Sequence, residues 1–274
     1  MKQFQNLIKF KVLIFLVLTF IFIDFLGGFL ILKLFENSNS GIAAKEKTIF
    51  FETDEDILFF GSSRAAFHYV PSVFEKKNKE LSFYNAGREG TGIFFEYALL
   101  IATLERYNPK MIVLDIDFRD VYDRGGDFGE NVFGQLAPYY GLVNEEFDNY
   151  ITRKPYEHIL YQSNLIKFNK KILNIVTANL SNNVSRDKGF KSLNGQWDGV
   201  VENKNDQFDY SQAHVDVIED FINKTKKNNV DLVLVVSPSH KILPEKFFQI
   251  IREISNKHQV KFYDFSSNKK LMDK

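Results

Sequence analysis

One apolar run near the N-terminus constrains this chain more than any other part of the sequence. After three lysines within the first eleven residues, the chain continues as VLIFLVLTFIFIDFLGGFLIL, interrupted only by Thr19, Asp24 and the pair Gly27-Gly28. A helix rises about 1.5 Å per residue, so this run is long enough to cross the roughly 30 Å hydrocarbon core of a bilayer. A buried core helix is seldom apolar on every side, and a cleavable signal peptide has a shorter apolar region followed by a small-x-small site. We therefore expect a transmembrane signal anchor over residues 12–34.

The charges around this run predict its orientation. Lysines cluster before it, and the positive-inside tendency places residues 1–11 in the cytoplasm as a basic N-terminus. The domain that follows would then lie outside the cytoplasm, anchored by a single pass through the inner (cytoplasmic) membrane. Residues 35–48 are polar and small, which is typical of a juxtamembrane linker. Asp24 is costly at bilayer depth, and the sequence leaves open whether it marks a helix–helix contact or a tolerated position.

Composition limits the classes of partner and chemistry. The chain has 274 residues, a formal net charge of zero and no cysteine. A neutral charge balance argues against a nucleic-acid partner, which would need a basic face. The absence of cysteine excludes disulfide frameworks, thiolate zinc sites and cysteine nucleophiles. The length that remains after the membrane segment corresponds to about one domain of ordinary size.

Residues 49–274 alternate between strand-like and helical patterns. Apolar strand candidates lie at 57–60, 81–87, 111–117, 231–238 and 260–265, with TIFF at 48–51 as a further candidate. Helical spacing covers residues 93–107, 211–229 and 244–258. Apolar strands that alternate with helices predict a doubly wound, flavodoxin-like α/β fold, with a mostly parallel sheet and helices on both faces. Residues 118–210 break this rhythm, with a helical stretch near 144–177, and we expect an insertion or cap over one end of the sheet.

Polar residues follow three predicted strands at their carboxyl ends, where open α/β sheets bind ligands. They are Gly61-Ser62-Ser63-Arg64, the loop Asn85-Ala86-Gly87-Arg88-Glu89-Gly90, and the acidic segment Asp115-Ile116-Asp117-Phe118-Arg119-Asp120. A serine in the turn after a strand can expose its hydroxyl and its backbone N–H group. A glycine in a neighbouring loop permits close backbone approach and adds a second N–H donor. The pattern therefore predicts a serine nucleophile with part of an oxyanion hole.

At these three places the chain resembles the SGNH (GDSL-type) hydrolases, in the form of their membrane-anchored bacterial cell-envelope members. Gly61-Ser62-Ser63 stands where the family has Gly-Asp-Ser, which implies Ser63 as the nucleophile, with Ser62 as the alternative. The loop at 85–90 matches Asn-x-Gly-x-x-Gly, which implies Gly90 as an oxyanion N–H donor. Arg119 stands where the resemblance implies an oxyanion asparagine, and arginine is a poor isostere for it. Asn131 in the following segment is the alternative for that role.

The last block of the family, Asp-x-x-His, does not occur in this sequence. None of the five histidines has an aspartate three residues before it. We expect this block to lie beyond residue 274, and the alternative is a diverged, inactive member. Among the histidines present, His68 is expected to be a surface or capping residue. His240 is the one histidine considered as a stand-in base, because it follows a predicted strand at the same edge of the sheet.

The acidic segment has two further interpretations. An apolar strand that ends in Asp-x-Asp resembles the nucleophile motif of haloacid-dehalogenase-type phosphatases, but Arg119 stands where that motif needs Thr or Val. Asp-x-Asp also occurs as a metal–diphosphate site in glycosyltransferases, which use hard oxygen ligands for Mg²⁺ or Mn²⁺. Nothing else in the sequence supports a nucleotide-sugar site. We therefore interpret Asp115, Asp117, Asp120 and Asp123 as a solvated strand end balanced by arginines.

The resemblance implies a membrane-anchored, extracytoplasmic serine esterase or O-acyltransferase that acts on acyl esters of cell-envelope glycans. It implies no cofactor and no metal. The alternative hypothesis is a non-catalytic anchored α/β domain that binds glycan or a partner protein through its strand-end loops. The missing histidine block and the arginine at position 119 favour this alternative.

Overall fold

A computed structural model of the chain describes residues 2–122, 128–180, 187–193, 209–239 and 242–267. The chain divides into two compact units. Residues 1–47 and 135–184 form the first, here called the anchor unit, and residues 48–134 and 185–274 form the second, here called the sheet unit. The segment predicted as an insertion, 118–210, is therefore shared between the two units.

The sheet unit contains a five-stranded sheet in which every pairing is parallel. Its strands are β1 (Ile57–Gly61), β2 (Phe83–Asn85), β3 (Met111–Asp115), β4 (Asp231–Val236) and β5 (Lys261–Asp264). Their order across the sheet is β2-β1-β3-β4-β5. This order confirms the predicted doubly wound, flavodoxin-like α/β fold.

The α-helices of the described residues surround this sheet or belong to the anchor unit. In chain order they are α1 (Lys2–Glu36), α2 (Gly41–Phe51), α3 (Ser63–His68), α4 (Pro71–Lys77), α5 (Ile93–Arg106), α6 (Phe128–Leu136), α7 (Glu145–Ile151), α8 (Glu157–Leu160), α9 (Asn164–Phe168), α10 (Ile172–Leu180), α11 (Gln212–Lys227) and α12 (Glu245–His258). The helices predicted at 93–107, 211–229 and 244–258 are thus α5, α11 and α12. The predicted helical stretch near 144–177 is divided among the short helices α7 to α10.

Consecutive residues of β1 show that helices cover both faces of the sheet. The ring of Phe59 packs against Phe74 of α4, with 4.9 Å between the ring centroids. The ring of Phe60 packs edge-on against Phe221 of α11, at 6.0 Å. Side chains alternate between the two faces of a strand, so α4 and α11 lie on opposite sides of the sheet. Right-handed crossovers produce this arrangement when the strand order reverses next to β1.

Helix α1 is long and apolar enough to cross a membrane. It extends over 35 residues, about 50 Å at 1.5 Å per residue, and contains the whole predicted span 12–34. Its apolar side chains from Phe4 to Leu30 are mostly exposed, and only 6% of its most apolar window is buried. Among the described residues, it is the one helix that has the length and composition of a membrane span.

The predicted linker and the strand candidate TIFF differ from what the structure shows. Residues 35–48 contain the end of α1 and most of α2, and TIFF forms the last turn of α2. Ile49 and Phe50 are almost completely buried, and the preceding Ala43-Ala44 pair has high helix propensity. The polar composition of this segment predicts a linker, but the packing of these side chains stabilises a helix there.

A buried ion pair holds distant parts of the anchor unit together. The ammonium of Lys171 lies 2.5 Å from Oε2 of Glu46, and their side chains are only 6% and 0% exposed. The hydroxyl of Tyr139 donates to the same Glu46 oxygen at 2.8 Å and accepts from Lys171 at 3.0 Å. Residues near 46, 139 and 171 thereby close a triangle, which explains why residues 135–184 group with the N-terminal helices.

Removal of one partner from this triangle should strongly destabilise the anchor unit. We expect Lys171→Met to lower the free energy of unfolding by about 3–5 kcal/mol, because the Glu46 carboxylate would remain buried without its cation. The matched control is Lys33→Met, because the Lys33–Glu36 pair is about half exposed and such pairs contribute about 0–1 kcal/mol. Thermal unfolding of the full chain in detergent micelles measures both. Equal losses in the two variants would contradict the structural role of the triangle.

Candidate functional site

The turn after β1 requires a glycine and is fixed by backbone hydrogen bonds. Gly61 has a φ of +138°, and a Cβ there would lie 2.7 Å from the carbonyl oxygen of Asp115. Its N–H donates to Oε2 of the buried Glu96 at 3.3 Å, and its carbonyl accepts from the N–H of Arg88 at 2.9 Å. The turn is therefore held between β3, α5 and the loop after β2. Such rigid support is what a nucleophile on a turn needs.

The two serines of this turn have different environments. Ser63 is the first residue of α3 and is partly exposed. Ser62 is only 2% exposed, and its Oγ is buried with no hydrogen-bond partner among the residues that the structure describes. A substrate can reach Ser63 more readily than Ser62. Of the two candidates from the sequence, the geometry favours Ser63.

Asn85, the first residue of the Asn-x-Gly-x-x-Gly loop, fastens this loop to α3. Its Nδ2 donates to the carbonyl of Ala65 at 2.8 Å and to that of Tyr69 at 2.7 Å. Its Oδ1 accepts from the N–H of Gly87 at 3.0 Å. The buried amide of Asn85 thus satisfies two backbone carbonyl groups of the segment that follows Ser63, and also one backbone N–H group of its own loop. The role of Asn85 is to position the two loops next to each other.

The two glycines of this loop, Gly87 and Gly90, are required for different structural reasons. A Cβ on Gly87 would lie 2.6 Å from both Ala65 Cβ and the Ala66 backbone nitrogen, so the loop contacts α3 through its backbone. Gly90 is exposed and has a φ of +74°, and a Cβ there would meet nothing nearer than the Arg88 guanidinium at 3.7 Å. Gly87 is therefore needed for close packing, whereas Gly90 is needed for its backbone conformation. Ser63 and Gly90 lie on loops that follow neighbouring strands.

Arg119 and Arg64 both pair with Asp117 at the end of β3. Arg119 Nε lies 2.9 Å from Oδ1 of Asp117, and the Arg119 backbone N–H donates to the same oxygen. Arg64 Nη1 lies 3.9 Å from Oδ2. Burial by itself would raise the pKa of Asp117, but the hydrogen bonds and charge of Arg119 and the charge of Arg64 hold it below its usual value. The guanidinium of Arg119 is thus engaged in an ion pair at the position where the resemblance implies an oxyanion donor.

The acidic segment is buried, which corrects its interpretation as a solvated strand end. Asp115, Asp117 and Asp120 are 1%, 8% and 5% exposed. Oδ1 of Asp120 accepts from the N–H of Ile93 at the start of α5, and its Oδ2 accepts from the N–H of Asp117 at 2.7 Å. Backbone donors satisfy Asp120 and arginines satisfy Asp117, whereas Oδ2 of the buried Asp115 has no hydrogen-bond partner among the described residues. Asp123 and Arg124 lie outside the described residues.

Two of these buried carboxyls have raised pKa values. Burial and, to a smaller extent, the negative charge of Asp117 together raise the pKa of Asp120 to about 7. Burial likewise raises the pKa of Asp115 to about 6, although the charge of Arg64 and hydrogen bonds from Ser237 oppose this shift. Both groups therefore titrate close to neutral pH. Carboxyls with such values near a cleft are common at functional sites.

The structure also brings together a serine and a histidine that the sequence did not connect. Nδ1 of His68 lies 2.9 Å from Oγ of Ser237, the first residue after β4. Nε of Arg64 donates to the same hydroxyl at 3.1 Å, and its Nη2 donates to the Ser237 carbonyl. His68 is exposed, as the sequence predicts for a surface histidine, and its ring also joins α3 to the end of β4. His240 lies outside the described residues, and Asn131 lies in α6 at an exposed position.

An apolar cavity of about 700 Å³ lies beside His68 and Ser237 in the sheet unit. Its walls are one face of the sheet together with aromatic rings: Phe59, Met111, Val113, Val233, Val235, Phe67, Phe74 and Phe265. Its size falls within the range of small-molecule sites, and few of its lining groups are polar. In the sequence, β1, β3 and β4 are almost continuously apolar, so the pattern does not reveal which of their residues face a cavity.

The two glycines of the loop allow a test of their separate roles. We expect Gly87→Ala to disrupt the contact with α3, because the added Cβ would overlap backbone that cannot yield easily. Gly90→Ala should cost only about 1–2 kcal/mol, the penalty of a left-handed conformation in open space. Thermal unfolding of both variants in detergent measures the difference. A larger loss in Gly90→Ala than in Gly87→Ala would contradict this assignment.

The buried carboxyls predict a pH dependence of stability. The folded pKa of Asp120, about 7, lies above its usual 3.8, so the folded state binds the proton more tightly than the unfolded state. The free energy of unfolding should therefore fall as the pH rises from about 4 to about 7. We expect Asp120→Asn to reduce this slope, and the other carboxyls with a raised pKa, chiefly the buried Asp115, to account for the remainder. Denaturant unfolding at several pH values measures it, with the exposed Asp231→Asn as a control that keeps the full slope.

Comparison with known proteins does not assign the chain to a family. No protein-family model matches the chain, and no curated protein matches it either. The residues at the carboxyl edge of the sheet are therefore the features that indicate a function.

Proposed function

We propose that this protein is a membrane-anchored serine esterase or O-acyltransferase of the SGNH type that acts on acyl esters of cell-envelope glycans. One observation carries the proposal. The partly exposed Ser63 follows a glycine turn after β1, and this turn is hydrogen-bonded to the loop that ends in Gly90. A nucleophile next to a glycine-rich loop is the arrangement that acyl transfer requires.

The proposed chemistry has two steps. Oγ of Ser63 attacks the ester carbonyl while a general base accepts its proton, and the backbone N–H groups of Ser63 and Gly90 stabilise the oxyanion. The alcohol of the ester leaves with a proton, and an acyl-enzyme remains. Water then accepts the acyl group in hydrolysis, or a glycan hydroxyl accepts it in transfer. The resemblance to the SGNH hydrolases assigns the base to an Asp-x-x-His block.

The proposed location follows from α1 and the lysines that precede it. Helix α1 is long and apolar enough to cross a membrane, and the positive-inside tendency places its N-terminal end in the cytoplasm. The sheet unit would then lie outside the cytoplasmic membrane, where envelope glycans are found. Membrane lipid and an acylated glycan are the partners that this proposal implies.

The ion pairs of Asp117 favour a second candidate, a non-catalytic anchored domain that binds glycan or a partner protein. Arg119 occupies the position of the implied oxyanion asparagine, and its guanidinium bonds to Asp117. In this alternative, the loops after β1, β2 and β3 form a binding surface. Ser63 would then contribute a hydroxyl for hydrogen bonding and no covalent step.

Labelling with a fluorophosphonate probe separates the two candidates. We expect the natural gene product, in its own membrane, to react with the probe at Ser63. Ser63→Ala should abolish labelling, whereas Ser62→Ala should retain it because Ser62 is buried. Equal labelling of the wild type and Ser63→Ala would exclude Ser63 as the nucleophile. Absence of labelling in the wild type would overturn the esterase proposal and support the binding domain.

A further inference from the structure

We propose that residues 157–180 of the anchor unit lie within the lipid bilayer beside α1, in the half of the membrane nearest Lys33. These residues, here called the lateral segment, contain α8, α9 and α10. The inference rests on the proposed membrane anchoring through α1. It assigns a lipid-facing role to a part of the chain outside the apolar N-terminal run.

Asp24 fixes the depth of the lateral segment. The apolar stretch of α1 lies between Lys11 and Lys33, and Asp24 lies about 13 Å below Lys33 along the helix axis. Oδ1 of Asp24 accepts hydrogen bonds from Oγ of Ser163 at 2.6 Å and from the N–H of Leu165 at 3.0 Å. The start of α9 is therefore held at the level of the apolar stretch. If this stretch crosses a membrane, α9 enters the membrane with it.

Two glycines of α1 provide the contact surface for α9. A Cβ on Gly28 would lie 2.2 Å from Cβ of Asn164, and a Cβ on Gly27 would lie 3.2 Å from Cδ2 of Leu165. Both glycines lie one turn after Asp24. Small residues that allow close backbone approach are typical of helix–helix contacts within membranes. The packing of α9 on α1 is a close contact of this kind, made through Gly27 and Gly28.

The side of α10 that faces away from the protein carries large apolar side chains beside the exposed polar residues Asn174, Thr177 and Asn179. Ile175 and Ala178 are buried, whereas Leu173 and Leu180 on the opposite side are each 79% exposed. Ile159 of α8 is 75% exposed as well. Large apolar side chains that are exposed to this extent are unfavourable in water and favourable against lipid chains. Lipid chains are therefore the medium that fits the outer side of the lateral segment.

The hydrogen bonds of threonine hydroxyls and the position of a tyrosine also support a location in the membrane. Oγ1 of Thr177 in α10 donates to the carbonyl of Leu173 at 2.9 Å, as Thr19 in α1 does to Phe15 at 2.8 Å. In lipid, a hydroxyl must find its partner within its own helix or a neighbouring one. Tyr156 is 53% exposed directly before α8, and tyrosine is enriched at membrane–water interfaces. The lateral segment is thus directly preceded by a residue typical of the interface.

Nitroxide scanning of the full chain in lipid vesicles tests the inference. The chain has no cysteine, so each single-cysteine variant carries one spin label. The test positions are Leu173→Cys, Leu180→Cys and Ile159→Cys, all strongly exposed. Leu16→Cys in α1 is the lipid reference, and Glu253→Cys in α12 is the water reference. Collision rates with oxygen and with a water-soluble nickel chelate are measured at each position.

We expect Leu173 and Ile159 to behave like Leu16, with oxygen collisions that exceed those with the nickel chelate. Leu180 follows Asn179, which donates to the carbonyl of Leu34 just past Lys33, so it should show the accessibility of the membrane–water interface. Nickel accessibility like that at Glu253 would overturn the inference, and a lipid-like Leu16 in the same experiment would leave the membrane anchor standing. A water-like Leu16 would instead overturn the proposed anchoring and the inference with it. Low accessibility to both reagents at Leu173 and Leu180 would show that protein, such as a second copy of the chain, covers this surface and not lipid.

Discussion

One buried carboxylate, that of Asp117, organises the carboxyl edge of the sheet. A desolvated charge of this kind is tolerated only when cations and hydrogen bonds satisfy it, and Arg64 and Arg119 do so from two directions. Arg64 follows Ser63 directly, so this ion pair helps to fix the serine turn relative to β3. The same guanidinium also bonds to Ser237 after β4. The ends of three strands are therefore coupled through Arg64.

The fold could be predicted because its strands are apolar and its helices are amphipathic. The runs around β1, β3 and β4 are almost continuously apolar, as expected for parallel strands covered on both faces. These strands alternate along the chain with the helices α5, α11 and α12. A doubly wound sheet is the fold that agrees with both observations. The helix α2 could not be predicted in this way, because burial of Ile49 and Phe50 depends on tertiary packing. Polar composition and local pattern carry no information about that packing.

The candidate site could be predicted only where strand order brings residues together. Ser63 and Gly90 follow strands that are neighbours in the sheet, and the carboxyl ends of parallel strands share one edge. The bond between His68 and Ser237 joins residues 169 positions apart, and neither belongs to a motif. The burial of Asp120 was missed because its partner, the N–H of Ile93, is a backbone group and leaves no trace in the sequence. Backbone partners of this kind become visible only in three dimensions.

The interruptions of the apolar run have a common physical cause. Asp24 accepts hydrogen bonds from the start of α9, and Gly27 and Gly28 allow α9 to approach the backbone of α1. A carboxylate at this depth is costly unless it is hydrogen-bonded, and a glycine pair weakens a helix unless close packing compensates for it. The contact with α9 supplies both compensations within about one turn of α1. The sequence left the role of Asp24 open between a helix contact and a tolerated position, and the structure assigns it to the contact. Departures from apolarity in such a long apolar helix therefore indicate where a second helix packs, even when that helix is as short as α9.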